Sequence, residues 1–242
     1  MASAIYNLFR KSDPEFAAFL HHQGWSESSK RFKFYTFSRL KGVEKDAVNR
    51  QVIIRKPVWF RFHTPRHEVM DHFLAGLFHG RKLALNGFGD LKVGLVESEP
   101  SPQYTDEEAV PCYTRSPITV HRKNPDGSKW NIRPNDPDWE QAVTSNLLEK
   151  YTLFYGTPPP EGAGPLRVTV DHAYWAPKNY GFIRTGLGPE RLTVFGYQCA
   201  VTLHGPAALK QFAVECGLGE STAMGFGCLE PGNPVQSIET NV

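Results

Sequence analysis

The chain has 242 residues, of which 40% are hydrophobic and 12% aromatic, enough for one large domain or two smaller ones with real cores. A mean hydropathy of −0.41 and the lack of an apolar run of about 18 residues exclude a membrane-spanning helix. The first residues show no basic stretch followed by an apolar one, so we expect no secretory signal. The four cysteines form no CxxC pair, and we therefore expect reduced thiols in a cytoplasmic protein.

Positive charge is concentrated between Lys30 and Arg66. This stretch carries eleven lysines and arginines but only two acids, whereas the whole chain has a net charge of only +2. Such asymmetry is typical of a surface that binds a polyanion, although a solvated loop would give the same count. The strand patterns on either side of residues 41–50 favour the interpretation as a polyanion-binding surface.

The N-terminal residues predict two helices followed by a basic strand. Residues 2–11 have apolar side chains at helical spacing, and Asp13, followed by proline, predicts the N-cap of a second helix that runs to about His22. Residues 31–40 then alternate with period two, which predicts a strand with one basic and aromatic face. The basic members of this face are Arg31, Lys33 and Arg39.

The later segments repeat a plan of strands and helices in each half. In chain order they are a strand around 58–62, a helix from Thr64 to Gly80, a strand near 91–97, a strand at 118–120, a helix from Asp136 to about Phe154, strands at 166–172 and 191–204, and a helix from Pro206 to Gly217. A proline-containing linker is predicted at 98–102. This order predicts an α+β protein of two split βαβ sandwiches, which we place at residues 1–105 and 106–242.

A glycine-rich run, Gly217 to Gly227, follows the last predicted helix and has four glycines in eleven residues. Glycine permits positive φ and close approach of the backbone, and successive N–H groups in such a turn can form an anion-binding concavity. A turn that only reverses the chain explains the same residues equally well. The spacing matches neither the P-loop nor the dinucleotide-binding motif.

Several residues suited to phosphodiester chemistry are close in the predicted order of elements. His21 and His22 lie in the last turn of the second helix, Tyr6 lies one helix upstream, and Lys33 lies on the basic strand downstream. An imidazole base, a hydroxyl and a fixed cation suit attack of a ribose 2′-hydroxyl on its own phosphate, without a metal or other cofactor. A histidine in a helix is more often structural, so the spacing alone leaves both interpretations open.

Four further histidines raise the question of a metal site. They are His63, His67, His72 and His79. A proline separates the first two, the last two do not share a face with them, and no HExxH motif is present, so we expect no bound metal. The acidic residues Glu97, Glu99 and 106–108 lie in predicted loops, and we interpret them as solvated.

The two ends of the chain resemble a known family. The segments Ile5-Tyr6-Asn7, Asp13-Pro14, Phe19-Leu20-His21 and residues 32–38, together with the glycine-rich run, resemble the CRISPR RNA-processing endoribonucleases, the sixth family of CRISPR-associated proteins within the repeat-associated (RAMP) superfamily. The resemblance spans about residues 4–229. It implies two tandem ferredoxin-like domains, binding of the repeat in precursor CRISPR RNA, and one metal-independent cut that leaves a 2′,3′-cyclic phosphate and a 5′-hydroxyl.

The same resemblance assigns roles to individual residues. It places the catalytic tyrosine on Tyr6, the histidine on His21 and the lysine on Lys33. The residues expected to bind RNA are Arg31, Arg39, Gly217, Gly219, Gly225, Phe226 and Gly227. Members of the family begin with a β-strand before the first helix, whereas this sequence begins in a helical pattern, so we expect the N-terminal domain to lack its first strand.

Three hypotheses for the function follow. The first is an endoribonuclease that cleaves precursor CRISPR RNA, the second a non-catalytic RNA-binding subunit of a CRISPR interference complex, and the third a small-molecule enzyme whose glycine loop binds a phosphorylated metabolite. His21 and Lys33 favour the first over the second, and the basic stretch favours RNA over the metabolite. The candidate partners are CRISPR repeat RNA, subunits of an interference complex and a second copy of the chain, and no membrane is expected.

Overall fold

The computed structural model describes residues 1–27, 30–46, 51–85, 89–123, 125–127, 129–159, 164–172, 180–185 and 192–232. The helices in this part of the chain are α1 (Ala2–Ser12), α2 (Pro14–His22), α3 (His67–Phe78), α4 (Trp139–Tyr155) and α5 (Ala207–Cys216), with a 3-10 helix at Thr222–Met224. The strands are β1 (Trp25–Glu27), β2 (Lys30–Phe32), β3 (Thr36–Phe37), β4 (Glu44–Asp46), β5 (Gln51–Ile53), β6 (Phe62–His63), β7 (Lys82–Leu85), β8 (Gly89–Lys92), β9 (Val110–Thr114), β10 (His121–Lys123), β11 (Lys129–Asn131), β12 (Arg167–Val170), β13 (Tyr180–Thr185), β14 (Leu192–Tyr197), β15 (Ala200–His204) and β16 (Leu229–Pro231). The predicted α+β class is confirmed.

The first two helices meet at Asp13, whose extended backbone ends α1 and begins α2. Its Oδ1 accepts hydrogen bonds from the N–H groups of Glu15 (2.8 Å) and Phe16 (3.0 Å), and Pro14 fills the first helical position. These hydrogen bonds, above all the one from Phe16, lower the pKa of the Asp13 carboxyl because they favour its charged form. The N-cap predicted from the sequence is therefore confirmed.

The largest sheet lies in the C-terminal half and has four antiparallel strands in the order β12-β15-β9-β16. Helix α4 comes between β9 and β12, and α5 comes between β15 and β16. The hairpins β10–β11 and β13–β14 are inserted into this plan. Buried side chains of the sheet and its two helices form one hydrophobic cluster, which includes Trp139, Leu147, Leu203 and Phe212.

A second hydrophobic cluster joins α1, α2 and α3 to the short strands of the N-terminal half. Its buried members include Ile5, Phe9, Tyr35 and Phe73. Strand β3 pairs with β6, and β7 pairs with β8, as two separate two-stranded sheets. Helix α1, which begins at Ala2, is the first element of the described chain. No helix among the described residues is long and apolar enough to cross a membrane.

The single strand predicted over 31–40 is wrong. The chain forms β2 and β3 there, with a break at Phe34, whose φ is +49°. Phe34 packs into the C-terminal cluster, whereas Tyr35 and Phe37 pack into the N-terminal one, so these two rings do not form an exposed aromatic face. Consecutive side chains thus enter two different clusters, which a period-two pattern does not describe.

Strands in the second half also differ from the predictions. The sheet contains β9, which the sequence analysis did not predict, and Ile118 forms only an isolated bridge with Tyr197. The strand predicted over 191–204 is two strands, β14 and β15, and residue 191 lies outside the described residues. Pro111 within β9 lacks an N–H group and obscures the strand pattern.

Candidate active site

Tyr6 on α1 and His21 on α2 lie at nearly equal sequence distances on either side of Asp13, where the two helices meet. Because the two helices pack against each other, these residues meet, with ring centroids 5.2 Å apart and planes inclined at 55°. Tyr6 is half-buried and His21 is exposed. The exposed ring of His22 lies 4.6 Å from that of His21. The contact with Tyr6 is thus made by the histidine that the family resemblance selects.

Lys33 follows β2 and lies beside the C-terminal end of α2. That helix ends where the N–H groups of Gln23 and Gly24 both donate to the carbonyl oxygen of Phe19, at 2.9 and 2.8 Å. A β-carbon on Gly24 would lie 2.7 Å from the Phe32 oxygen and 3.7 Å from Cγ of Lys33. The strand therefore passes directly against the helix end that carries His21.

The environment of Lys33 suits an electrostatic role. Burial lowers the pKa of Lys33 because desolvation disfavours its charged form. A partly desolvated ammonium group attracts a phosphate more strongly than a fully hydrated one, since the effective dielectric constant around it is lower. The structure thus brings the His21 imidazole and the Tyr6 phenol into contact and passes the segment of Lys33 against the end of α2. An imidazole, a phenol and an ammonium group are a set that can remove a proton and stabilise negative charge.

Arg31, a predicted RNA-binding residue, caps the same helix. Its Nη1 donates a hydrogen bond of 2.7 Å to the carbonyl oxygen of His22, at the negative end of the helix dipole. Arg31 is exposed, and a guanidinium carries five N–H donors, so this bond leaves others for a phosphate. Its RNA-binding role stays a prediction.

Arg39 lies beyond the other end of β3, in a second cationic surface. We call this surface the Trp59 patch, made of Arg39, Lys41, Trp59, Arg61 and Arg115. Trp59 is 42% exposed, and the guanidinium carbons of Arg61 and Arg115 lie 5.9 and 5.5 Å from its ring centroid. Burial lowers the pKa of both Arg39 and Lys41, and the positive charge of Arg115 lowers that of Lys41 further. An exposed indole among four cations offers a face for an RNA base and charges for its phosphates.

The cations of this patch are partly neutralised by acidic side chains. Glu230 forms an ion pair with Arg115, and its Oε2 lies 3.4 Å from Nε of Arg61. Arg61 also pairs with Glu99. Arg115 and Arg61 lower the pKa of Glu230, which stays ionised and orients the two guanidinium groups near Trp59.

The glycine-rich run is buried between the two halves. The N–H groups of Gly217, Gly225 and Gly227 donate to the carbonyl oxygens of residues 213, 222 and 117. Their φ angles are +80°, +86° and +70°. A β-carbon on Gly227 would lie 1.9 Å from the oxygen of Leu218. Because these amides are already engaged, the geometry favours a close-packed turn over an open anion-binding loop.

Gly219 and Phe226 are packed equally closely. A β-carbon on Gly219 would lie 2.5 Å from the oxygen of Thr119. The Phe226 ring is buried, and its carbonyl oxygen accepts a hydrogen bond of 2.8 Å from Oγ1 of Thr36 on β3. The loop therefore supports β3 from the C-terminal half, and direct RNA contacts by its five predicted residues stay a prediction.

A buried lysine that the sequence analysis missed holds this loop in place. Nζ of Lys150 donates to the carbonyl oxygens of Gly217 (3.0 Å) and Gly219 (2.6 Å), and the residue is only 2% exposed. Burial lowers the pKa of Lys150. The one signal in the sequence is its helical spacing from Val143 and Leu147 on the buried face of α4.

Two of the four histidines considered as metal ligands, His63 and His72, have other partners. Nδ1 of His63 lies 3.1 Å from the carbonyl oxygen of Val214, and burial lowers the pKa of this imidazole. The His72 ring stacks on Phe16 at 4.0 Å. In the part of the chain that the structure describes, no three histidine, cysteine or acidic residues are grouped so that they could hold a metal ion.

Comparison with known proteins decides the family. Residues 1–90 match the family model described as CRISPR-associated protein Cas6, N-terminal, and residues 98–231 match CRISPR associated protein Cas6, C-terminal. The chain belongs to the Cas6 family. The resemblance inferred from the two ends of the sequence is thereby confirmed.

Individual Cas6 relatives span most of the chain. The CRISPR-associated endoribonuclease Cas6 1 of Methanocaldococcus jannaschii is 26% identical over 238 residues, covering 94% of this chain and 82% of the relative. The CRISPR-associated endoribonuclease Cas6 of Pyrococcus furiosus is 24% identical over 234 residues, covering 93% and 78%. A solved structure described as an RAMP protein binding different RNA substrates superposes with a TM-score of 0.74 at 17% identity, covering 96% of this Cas6 chain and 90% of that one, which shows a shared fold.

Proposed function

We propose that this Cas6 family member is an endoribonuclease that binds CRISPR repeat RNA and cleaves precursor CRISPR RNA into guide RNAs without a metal ion. The observation that carries the proposal is the contact of the Tyr6 and His21 rings beside the helix end that Lys33 passes. The names of the two curated relatives support an endoribonuclease. The RNA named in the description of the similar RAMP structure supports RNA as the ligand.

In the proposed reaction, His21 removes the proton of the ribose 2′-hydroxyl. The 2′ oxygen bonds to phosphorus, the bond from phosphorus to the 5′ oxygen breaks, and that oxygen takes a proton from water. His21 then releases to water the proton that it removed. The products are a 2′,3′-cyclic phosphate and a 5′-hydroxyl. Lys33 neutralises the charge that develops on the phosphorane oxygens, and the Tyr6 hydroxyl orients the phosphate.

The finer architecture belongs to the same proposal. Two ferredoxin-like domains, at 1–105 and 106–242, are supported by the two hydrophobic clusters and by the strand-helix-strand-strand-helix-strand order of the C-terminal sheet. In the N-terminal half, β3–β6 and β7–β8 form two separate pairs of strands.

A second candidate function is a non-catalytic RNA-binding subunit of an interference complex. The observation in its favour is the Trp59 patch, which offers stacking and positive charge at the end of β3 away from Lys33 and needs no catalysis. Interference-complex subunits and a second copy of the chain stay predicted partners.

Cleavage of labelled repeat RNA separates these functions. We expect cutting to continue in EDTA and to stop when the nucleotide 5′ to the cut carries a 2′-deoxyribose, while binding continues. Salt-sensitive binding without cutting of the all-RNA substrate would instead support the non-catalytic subunit. An absence of RNA binding at low salt would contradict both and leave the small-molecule enzyme.

The Trp59 patch provides a test of RNA binding alone. Trp59→Ala should weaken binding of single-stranded repeat RNA by about 5- to 160-fold, because stacking on an aromatic residue contributes about 1–3 kcal/mol per base. Arg39→Ala should reduce the slope of log K against log salt by about 0.7, the value for one phosphate contact with a single strand. Filter binding over a range of salt concentrations measures both, and cutting at saturating RNA should be unchanged.

The chain offers a matched control for Trp59. Phe78 is also exposed and lies 6.0 Å from a guanidinium, that of Arg81, but it is outside the patch. Phe78→Ala should leave RNA binding unchanged. Equal losses in the two variants would refute the specific role of the patch.

A further inference from the structure

Arg66 lies in a cage of three aromatic rings behind the candidate active site. Its guanidinium carbon is 4.2 Å from the ring centroid of Trp25, 5.1 Å from that of Phe34 and 4.9 Å from that of Phe154. Nε of Arg66 is buried and donates to no acceptor among the described residues. The side chain is therefore held by the faces of the rings, and such cation–π contacts strengthen when they are desolvated.

Two hydrogen bonds also connect the backbone of Arg66 to the backbone of Phe34 through Thr64. The Arg66 N–H donates to Oγ1 of Thr64 at 3.1 Å, and this hydroxyl donates to the carbonyl oxygen of Phe34 at 2.6 Å. Phe34 is 1% exposed and has a φ of +49°, in the left-handed region that a bulky side chain seldom adopts. Such a conformation persists only where the surroundings fix it, and here Arg66 contributes to both its ring contacts and its hydrogen bond.

The cage touches both segments that carry the proposed catalytic groups. Phe34 directly follows Lys33 in the chain. Trp25 follows the end of α2, pairs with Phe32 across β1 and β2, and packs its ring edge-on against Phe19 of α2 at 5.2 Å. The ring centroids of Trp25 and Phe34 are themselves 5.6 Å apart. The guanidinium group of Arg66 therefore contacts two rings, of which one packs against α2, the helix of His21, and the other directly follows Lys33 in the chain.

We propose that Arg66 is a positioning residue for RNA cleavage, which sets the place of Lys33 relative to His21 by fixing Phe34 and Trp25. This inference rests on the proposed function of His21 and Lys33. Arg66 acts through packing and does not touch the scissile phosphate. Such precision matters because a displacement of about 1 Å can slow an enzymatic step by about 100-fold.

The first test is Arg66→Met, which keeps an unbranched chain and removes the charge. The single-turnover rate at saturating RNA should fall by about 10- to 100-fold, while the dissociation constant of the RNA stays near that of the wild type. Arg66→Lys should recover part of the rate, because an ammonium group keeps a cation–π contact but lacks the planar face of the guanidinium. Arg81→Met removes a guanidinium beside Phe78, outside the cage, and should leave the rate unchanged.

A double-mutant cycle separates positioning from general destabilisation. Lys33→Ala alone should slow the chemical step more than it weakens binding. If Arg66 acts through Lys33, adding Arg66→Met to Lys33→Ala should slow cleavage by less than about 2-fold, since the two effects are then not additive. A double variant whose loss of rate equals the product of the losses in the two single variants would overturn the proposal.

A milder variant covers the case in which Arg66→Met does not fold, as judged by circular dichroism. Thr64→Val removes the hydroxyl that bonds to Phe34 and should give a smaller rate loss that also disappears in the Lys33→Ala background. Loss of RNA affinity without a loss of rate would make Arg66 a phosphate ligand and overturn the proposal. A wild-type protein that binds but does not cut would instead refute the proposed function itself.

Discussion

Replacing His21 by alanine is expected to slow the cleavage of repeat RNA by about two to four orders of magnitude, the contribution of a positioned general base. The affinity for RNA should stay near that of the wild type, because the exposed imidazole acts on the sugar proton and not as a charged anchor. Single-turnover cleavage with excess protein measures the rate, and filter binding of a 2′-deoxy substrate measures the affinity.

His22 supplies the matched control for this variant. It is the next residue, it is also exposed, and its ring lies 4.6 Å from that of His21. His22→Ala should have a far smaller effect on the rate, since the Tyr6 ring packs against His21. Normal cutting by the His21 variant would place the base elsewhere, and an equal loss in the two variants would undo the choice between the adjacent histidines.

Gly227→Ala should lower the free energy of unfolding by about 2–5 kcal/mol. The left-handed backbone at φ +70° alone costs an alanine about 1–2 kcal/mol, and the new β-carbon would lie 1.9 Å from the Leu218 oxygen, so the backbone must also shift at a cost of about 1–3 kcal/mol. Urea unfolding followed by circular dichroism measures the change. RNA binding should fall only in proportion to the unfolded fraction, because the amide of Gly227 already donates within the chain.

Gly156 provides a control for Gly227, because alanine there has the same backbone strain without the steric clash. Its φ is also +70°, but a β-carbon there would meet nothing within 4 Å. Gly156→Ala should therefore cost only about 1–2 kcal/mol. Similar losses at the two glycines would show that close packing of the glycine-rich run contributes little. A Gly227 variant that is stable but binds no RNA would restore the anion-binding interpretation.

The sequence was sufficient to predict features that depend on neighbouring residues. The cap at Asp13 and the helix after it depend on neighbouring residues, so their pattern was sufficient. The site residues Tyr6 and His21 were found from helical positions and family resemblance, and the fold brings their rings together. The strand predicted around 58–62 contains Trp59 and Arg61, but nothing in the sequence indicated that Arg115 would join them.

Features that depend on distant residues could not be predicted. The break at Phe34 requires Arg66 and Phe154, which are far away in the sequence. The burial of the glycine-rich run requires the hydrogen bonds of Lys150 and contact with β3. A single sequence carries no signal for such pairings, so an open loop and a packed turn were equally good interpretations of the same glycines.

The ring of Phe34 belongs to the hydrophobic cluster of the opposite half, against Phe154 and Phe212. Domains joined by a small polar interface are free to tilt, but here a hinge motion would have to extract a whole benzyl group into water. The contacts of Phe34 with Phe154 and Phe212 therefore oppose a change in the relative position of the two halves. For the proposed reaction, we therefore expect the bending and unstacking that align a ribose with its phosphate to come from the RNA rather than from closure of the two halves.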